Sequence, residues 1–516
     1  MKTIKLLSYG SVILGATMLL SGCADKLNLD NPNENTEATF WSSESDFEKA
    51  ITACYPPLKN WESGYYGTRG VMLRLLRSDE VTLRKDVDEL YQVQNFTNTT
   101  SNGQVQNMFY QMSSCIYRTG TVLQKLEEKK NILSSDFTKR LQGEAHFLRG
   151  FILFQYGKEF KDAPMRMNPS QDPADFPLAK SSQAEIWAQA IKDLQEAADI
   201  LPLTATAKGK PTKGAALMTI GKIYIYLKDW DKAISYLEPL TKSPYTYKLI
   251  DDYQLNFTER GSFNEESIFE IIHDNSGGTN TWSWENMDSR QSTSRAKEFA
   301  AAEVTGWYEA TITDQMMDIF KQELDKDGNF DYRARVSAAW DYPGCMYYLR
   351  PFQEVLSAEN QKKAWVLKYQ NWDIVEAEDG DYDARSKIND RALRYGDLIL
   401  LLAEAYMNKG NLDQAISYIN QIRRRANLND YSGPTTKEGV FADLEHQRAI
   451  ELFVEGERFY DLRRWGLLEE RLKSCSTSRY NQYITGKKGD INKYDYYPIP
   501  SKEVETNKLC SQNEGW

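Results

Sequence analysis

Four oxygen-bearing side chains alternate along one short segment, at Asp325, Asp327, Asn329 and Asp331. This alternation is typical of a calcium-binding loop, in which oxygens from every second residue reach the ion. However, the sixth position is Phe330, where the loop needs glycine for a sharp turn, and the twelfth is Val336, where a bidentate glutamate is needed. We therefore interpret the segment as a turn followed by a helix that carries Arg333, and we predict no metal site.

The residue types that most often carry catalysis form no recognisable set in this sequence. The histidines His146, His273 and His446 are far apart and lack metal-ligand spacing, and there is no nucleophile elbow, phosphate-binding loop or HExxH motif. We expect all three to be structural. The 74 acidic residues leave a pair of glycosidase carboxylates open as an alternative, but their spacing favours none. We therefore predict a protein that is not an enzyme and has no cofactor.

Aromatic side chains offer a different chemistry, the stacking of sugar rings. The C–H face of a pyranose packs well on the electron-rich face of an aromatic ring, and neighbouring polar side chains then bind the hydroxyls. The segment between Tyr247 and Ala384 carries half of the 12 tryptophans. Our candidate ligand contacts are Trp282, Trp284, Trp307 and Tyr308 in that segment, and Trp61, Tyr65 and Tyr66 in an earlier loop. The alternative for each is a core position or a contact with another protein.

The N-terminus predicts export and lipid attachment. Lys2 and Lys5 precede an apolar stretch that is too short and too interrupted for a transmembrane helix, so residues 1–22 fit a signal peptide. The stretch ends in Leu-Ser-Gly followed by Cys23, which resembles the lipobox of bacterial lipoproteins. We expect a lipid-modified Cys23, with residues 23–38 as a flexible tether. An ordinary signal peptide cleaved nearby is the alternative.

Composition indicates a globular chain that does not bind nucleic acid. The net charge is -11, and 41% of the residues are hydrophobic. No basic stripe could neutralise phosphates, so we interpret Arg423, Arg424 and Arg425 as a solvated helix face. Besides Cys23, five cysteines remain, and their spacing suggests neither a metal site nor a particular disulfide.

Apolar residues recur with helical periodicity over most of the chain, which predicts a mainly α fold. Tetratricopeptide-like helix pairs are expected near residues 184–202, 213–247 and 391–425, within a single domain spanning 39–516. Generic helical hairpins are the alternative. An aromatic-rich insertion, residues 248–384, interrupts the repeats and is expected to form a large irregular lobe. The best candidates for strands are Ser267 to Ile272 and Trp365 to Tyr369.

Several motifs together resemble the SusD/RagB family of nutrient-binding outer-membrane lipoproteins. They are Glu144-Ala145 with Leu148-Arg149, Phe151 and Phe154; Asp162-Ala163-Pro164; Ile186 to Pro202; Arg394-Tyr395-Gly396-Asp397 with Ala403-Glu404-Ala405; Arg448, Ile450, Glu451, Leu452, Glu455-Gly456, Arg458-Phe459 and Asp461-Leu462-Arg463-Arg464-Trp465; and Tyr497-Pro498-Ile499-Pro500 with Glu503, Asn507 and Gln512-Asn513. One departure is Gln447-Arg448-Ala449, where the family more often has Glu-Arg-Arg. Charged residues three or four apart between Phe441 and Leu468 further predict one long helix with a ladder of ion pairs.

This resemblance implies a function as well as a fold. Members of the family sit on the outer face of a TonB-dependent, SusC-like barrel transporter, capture a nutrient and close over the barrel as a lid. We therefore expect a non-catalytic, lipid-anchored protein of the outer membrane that faces the cell exterior. Its ligand is expected to be a glycan or oligosaccharide, with a peptide as the alternative.

Overall fold

A computed structural model describes residues 40–60, 63–170, 172–274, 293–377 and 386–516. The predictions for the signal peptide, for Cys23 and its tether, and for Trp61, Trp282 and Trp284 therefore lie outside the described residues. Within them the fold is mainly α-helical, as predicted. No helix in these ranges is both long and apolar enough to cross a membrane.

The helices vary from single turns to more than seven turns. In chain order they are Glu44–Thr52, Pro56–Lys59, Thr68–Leu76, Asp88–Gln94, Gly103–Glu128, Ser135–Phe160, Gln183–Ile200, Lys213–Tyr226, Trp230–Leu237, Arg295–Phe299, Asp314–Lys321, Tyr332–Ser337, Phe352–Val355, Tyr395–Asn408, Leu412–Arg425, Lys437–Glu451, Arg458–Trp465, Leu468–Cys475, Thr477–Ile484 and Ser501–Thr506. Several begin at a side-chain cap, as at Ser182, whose hydroxyl accepts the N–H of Glu185 while the Glu185 carboxylate accepts from Ser182.

Short antiparallel strand pairs connect the helices. The pairs are Val81–Leu83 with Ala310–Ile312, Ala163–Pro164 with Lys180–Ser181, Ser267–Ile271 with Asp390–Arg394, Ala338–Ala339 with Trp365–Val366, Met346–Tyr347 with Arg350–Pro351, and Lys487–Lys488 with Ile491–Asn492. The pairing of Ser267–Ile271 with Asp390–Arg394 brings together two segments that are more than one hundred residues apart in sequence.

A stripe of glycines allows the long helices to pack closely. Gly143, Gly150 and Gly157 recur every seven residues along the Ser135–Phe160 helix and face the Gln183–Ile200 helix. A Cβ at Gly150 would lie 2.7 Å from Cγ of Leu194, and one at Gly157 would lie 2.6 Å from Nε1 of Trp187. Larger residues at these positions would push the two helices apart.

Two helix pairs occupy the places expected of tetratricopeptide units. Lys213–Tyr226 pairs with Trp230–Leu237, and Tyr395–Asn408 pairs with Leu412–Arg425. Where the first pair meets, a Cβ at Gly221 would lie 2.5 Å from the Leu237 side chain, so a small residue is required there.

The predicted long helix from Phe441 to Leu468 is wrong. Helix Lys437–Glu451 ends, and a new helix begins only at Arg458. The backbone between them contains left-handed residues at Val454 (φ 52°) and Gly456 (φ 78°), which no continuous helix tolerates.

The predicted ion-pair ladder is also wrong, because most of these charges reach distant segments. The buried Glu451 carboxylate binds the guanidinium groups of Arg425 (2.6 Å), Arg394 (2.7 Å) and Arg333 (3.2 Å). Among the pairs of this segment, Asp461 with Arg464 is a local one, at 2.8 Å. The motif residues therefore form ion pairs between segments that are far apart in sequence. They do not form a row of ion pairs along one helix surface.

The three consecutive arginines are not a solvated face, which corrects a second expectation. Arg423 is buried and binds Glu323 and Asp443, and the Arg425 side chain is 4% exposed against Glu451. Among the three, Arg424 is the one whose side chain is mainly exposed, at 61%. Buried guanidinium groups need carboxylate partners, and long-range folding supplies those partners here.

Candidate ligand-binding site

Strand pairing brings two segments that are far apart in sequence to one surface site. Val81–Leu83 runs antiparallel to Ala310–Ile312, with Leu83 opposite Ala310. Just beyond this pair, the N–H of Arg84 donates to the carbonyl of Glu309 at 2.7 Å. Arg84 is thereby fixed beside the predicted ligand residues Trp307 and Tyr308.

The segment that carries Trp307 and Tyr308 is held by backbone hydrogen bonds. The N–H groups of residues 306–309 donate to carbonyls at Ala301, Lys297, Ala300 and Glu298, over distances of 2.7–3.0 Å. A Cβ at Gly306 would lie 1.9 Å from the carbonyl oxygen of Ala300, so this close approach requires glycine. Because each of these donors is bonded, the two aromatic residues project from a rigid base.

Tyr308 forms an exposed aromatic platform. Its residue is 43% exposed, and the Arg84 guanidinium carbon lies 4.1 Å from the ring centroid. Arg84 is itself fixed, since Nη1 donates to the Trp307 carbonyl at 2.8 Å and Nε donates to Asp86 at 2.5 Å. The hydrogen bond from Arg84 also holds the pKa of Asp86 below its usual range. One ring face thus packs on a cation, and the residue as a whole remains exposed.

A cluster of charged residues, Arg69, Glu298 and Glu309, lies next to the segment that carries Tyr308. Arg69 Nη1 lies 2.5 Å from the Glu309 carboxylate and 3.6 Å from that of Glu298. Burial raises the pKa of Glu298 to about 7; the nearby Arg69 opposes this change and the charge of Glu309 adds to it. The exposed side chains of Lys85 and Asp86 lie beside Arg84 in sequence and could bind ligand hydroxyls.

The structure argues against Tyr65 and Tyr66 as ligand contacts. Tyr65 is 0% exposed and donates its hydroxyl to Gln155 at 3.0 Å, and Tyr66 is 5% exposed. The Arg74 guanidinium lies 4.6 Å and 4.8 Å from the two ring centroids. Both rings therefore belong to the core, because they pack on a buried cation and meet each other edge-to-face.

The described residues around two candidate clusters lie close together. Lys59 Nζ donates to the carbonyl of Ile272 at 2.8 Å, just before residues 275–292. Thr68 Oγ1 lies 3.3 Å from Oγ1 of Thr293, just after them. Residues 272 and 293 thus lie beside residues 59 and 68, and Trp61, Trp282 and Trp284 themselves lie outside the described residues.

Several of the residues considered for metal binding and catalysis have structural partners. The Asp325 carboxylate accepts the N–H groups of Asp327 and Asn329 and binds Arg335, and helix Tyr332–Ser337 follows and carries Arg333, as predicted. Of the histidines, His146 bonds to Asp193 and His273 to Asp390, each at 2.8 Å. Among the described residues, no group of three or more His, Cys, Asp or Glu side chains could hold a metal ion.

The cysteines that follow Cys23 are all free thiols, namely Cys54, Cys115, Cys345, Cys475 and Cys510. Burial raises the pKa of Cys54 to about 12 and that of Cys345 to about 11, so these two thiols are protonated at neutral pH. Protonated thiols are poor nucleophiles and metal ligands, which fits a structural role.

Sequence reasoning missed Arg84 as a site residue. Arg84 lies in a short polar segment without any motif, more than two hundred residues before Tyr308. The only hint in the sequence is the alternation of the apolar residues Val81 and Leu83, which indicates a strand. It does not show which other segment pairs with that strand.

Two family models match separate parts of the sequence. The SusD family model matches residues 265–516, and a model described as starch-binding and associating with the outer membrane matches residues 28–225. A tetratricopeptide repeat model matches residues 215–243, in agreement with the helix pair predicted there.

Individual relatives cover most of the chain. A SusD superfamily protein from Bacteroides vulgatus, known from a crystal structure, is 58% identical, with a TM-score of 0.86 over 93% of this chain and 100% of its own. SusD-like protein P2 from Formosa agariphila is 25% identical over 98% of this chain and 99% of its own length. Starch-binding protein SusD from Bacteroides thetaiotaomicron is 24% identical over 73% of each chain.

Proposed function

The chain belongs to the SusD/RagB family, and we propose that it captures a glycan at the cell surface through the platform at Tyr308. The observation that carries this proposal is a rigid, exposed aromatic ring with Arg84 fixed on one of its faces. A sugar ring can stack on the other face, while the exposed side chain of Lys85 binds its hydroxyls.

A binding role without catalysis fits both the family and the site. Family members are non-catalytic carbohydrate-binding proteins, and one relative is named a starch-binding protein. At the platform, the carboxylate of Glu309 is committed to Arg69 and that of Asp86 to Arg84. Hydrolysis would need two carboxylates facing each other across a bound glycosidic bond, a different arrangement.

The test is a binding panel of polysaccharides, oligosaccharides and peptides, measured by calorimetry with the purified protein. We expect saturable binding to at least one saccharide and none to the peptides. Binding to peptides together with no saccharide binding would refute glycan capture and would support the alternative, a peptide receptor. A reducing-end assay on the same mixtures is expected to show no increase with time.

We propose further that the protein is anchored through a lipid on Cys23, faces the cell exterior, and acts as the lid of a TonB-dependent, SusC-like barrel. Support comes from the lipobox resemblance and from the match of residues 28–225 to a family of proteins that associate with the outer membrane. An affinity-tagged chain purified from detergent-solubilised outer membranes is expected to bring down one such barrel. Cys23→Ala should abolish labelling by radioactive palmitate, and unchanged labelling would refute the anchor.

A further inference from the structure

Among the described aromatic side chains, three are largely exposed: Tyr117 at 38%, Phe176 at 50% and Tyr308 at 43%. Tyr308 forms the platform described above. The other two line one depression with a volume of about 700 Å³. Such a volume lies within the range of small-molecule sites, which are typically lined by aromatic and apolar side chains with a few polar groups.

The floor of this depression is the Gly103–Glu128 helix. Tyr117 and Gly120 lie one turn apart on the same face of that helix. A Cβ at Gly120 would lie 1.7 Å from the carbonyl oxygen of Met167, so glycine is required for the loop to lie directly on the helix. This close contact positions Met167 beside the Tyr117 ring.

The opposite wall is the loop between the paired strands Ala163–Pro164 and Lys180–Ser181. Its far end is tied down by Asn507, whose side chain bonds to both the N–H and the carbonyl of Leu178 at 2.8 Å. Lys180 Nζ bonds to Asn513 at 2.8 Å. Because both ends are fixed, the loop holds Phe176 in the same depression as Tyr117.

Polar groups complete the rim. Arg166 donates to the Phe176 carbonyl and lies 3.6 Å from Glu503, yet its side chain remains 32% exposed. Ser170 Oγ donates to Asp175 at 2.7 Å, and both residues line the depression together with the exposed Asn168. The site thus combines two apolar rings with a guanidinium, a carboxylate, a hydroxyl and an amide.

We propose that this depression is a second saccharide-binding site, separate from the Tyr308 platform. The ring faces of Tyr117 and Phe176 would pack on sugar C–H groups, and Arg166, Asn168 and Asp175 would bind hydroxyls. An apolar protein partner would gain little from such a charged rim. This inference rests on the proposed function, because it assumes that the ligand is a glycan.

If the protein has two sites, its apparent affinity for a saccharide should depend on the length of that saccharide. No residue that lines the depression belongs to the Tyr308 platform, so the two are separate sites. A short oligosaccharide can therefore fill one site at a time. A long polysaccharide presents many sugar units, so both sites add to its apparent affinity.

The experiment compares retention in native gels containing the polysaccharide that the wild-type chain binds best. The variants are Tyr117→Ala/Phe176→Ala, Tyr308→Ala and the triple combination, with Ile132→Ala as a control because Ile132 is 57% exposed and lies outside the depression. We expect the double variant to lose roughly tenfold in apparent affinity. Tyr308→Ala should keep residual binding that the triple variant lacks, and Ile132→Ala should match wild type.

Tyr117→Phe/Phe176→Tyr serves as the conservative variant and should retain affinity, while thermal unfolding checks that each variant is folded. If the double variant binds like wild type and Tyr308→Ala alone removes all binding, the second site is refuted while glycan capture stands. If wild type binds no saccharide, both proposals fail. If the double variant keeps its saccharide affinity but no longer co-purifies with a barrel, the depression is a protein contact and this inference is overturned.

Discussion

Glu80→Gln should make the protein more stable than wild type as the pH rises. Glu80 is 1% exposed and immediately precedes the strand that positions Arg84. Its carboxylate accepts the N–H of Val454 at 2.9 Å and the hydroxyl of Ser78 at 3.2 Å. The nearest guanidinium, on Arg458, is already bound to Asp79 in two hydrogen bonds of 2.9 Å. Burial therefore raises the pKa of Glu80 to about 8.

The direction of the effect follows from proton linkage. Below the unfolded pKa of 4.5, both states hold the proton and the stability that it contributes is fully present. Between that pH and about 8, the folded state holds a proton that the unfolded state has released, so stability falls by about 1.4 kcal/mol per pH unit. Over the full window of about 3.5 pH units the loss is of the order of 5 kcal/mol. Glutamine has no such proton, and its amide oxygen can still accept the Val454 N–H.

The assay is urea unfolding of wild type and Glu80→Gln at intervals from pH 5 to pH 8.5. We expect the difference in unfolding free energy, variant minus wild type, to rise steadily with pH by a few kcal/mol. Glu127→Gln is the matched control, because the Glu127 side chain is 68% exposed and its difference should stay flat. A flat difference for Glu80→Gln as well would refute a buried, neutral carboxyl group at this position.

Three further substitutions probe the site and the scaffold. Arg84→Ala should weaken saccharide binding about tenfold in calorimetry, because the Tyr308 ring loses the cation that packs on it. Glu451→Gln should destabilise the protein by about 3–5 kcal/mol in urea unfolding, since three buried guanidinium groups lose their shared charge. Gly150→Ala should cost about 1–3 kcal/mol, because the new methyl group would lie 2.7 Å from Leu194.

Each of these expectations has its own contradicting result. If Arg84→Ala binds the saccharide as tightly as wild type, then packing of the guanidinium on the Tyr308 ring does not contribute to binding. A Glu451→Gln variant as stable as wild type would show that the buried charges compensate one another without that carboxylate. For Gly150→Ala, Ala145→Gly on the same helix is the converse control, since it removes a methyl group instead of adding one. If Gly150→Ala and wild type have equal free energies of unfolding, the two helices accommodate the added methyl group without loss of stability.

The helical scaffold could be predicted because its signals are local. Helical periodicity marks the elements, and the small residue at Gly221 marks where the first repeat pair meets. The strand from Ser267 was likewise visible, although its partner at Asp390 was not. The spacing of charged residues along the chain, by contrast, led to a wrong prediction of their ion-pair partners. Glu451 suggested a ladder along one helix, whereas its partners come from three other segments.

The candidate site was only partly predictable for the same reason. Aromatic residues in an insertion pointed to Trp307 and Tyr308, but the same reasoning also selected Tyr65 and Tyr66, which are buried. Composition does not distinguish a ring that faces solvent from one that packs on a buried Arg74. Exposure is decided by the surrounding backbone, here by the hydrogen bonds that fix residues 306–309.

The most direct test of glycan capture at the platform is the calorimetric affinity of wild type, Tyr308→Ala and Tyr308→Trp for a short oligosaccharide of the glycan found in the binding panel. Loss of the stacking ring should weaken binding at least tenfold, and the larger ring of tryptophan should preserve it. All three proteins should unfold at similar temperatures, since the side chain is 43% exposed. Equal affinity of wild type and Tyr308→Ala would contradict the account and place the ligand elsewhere on the protein.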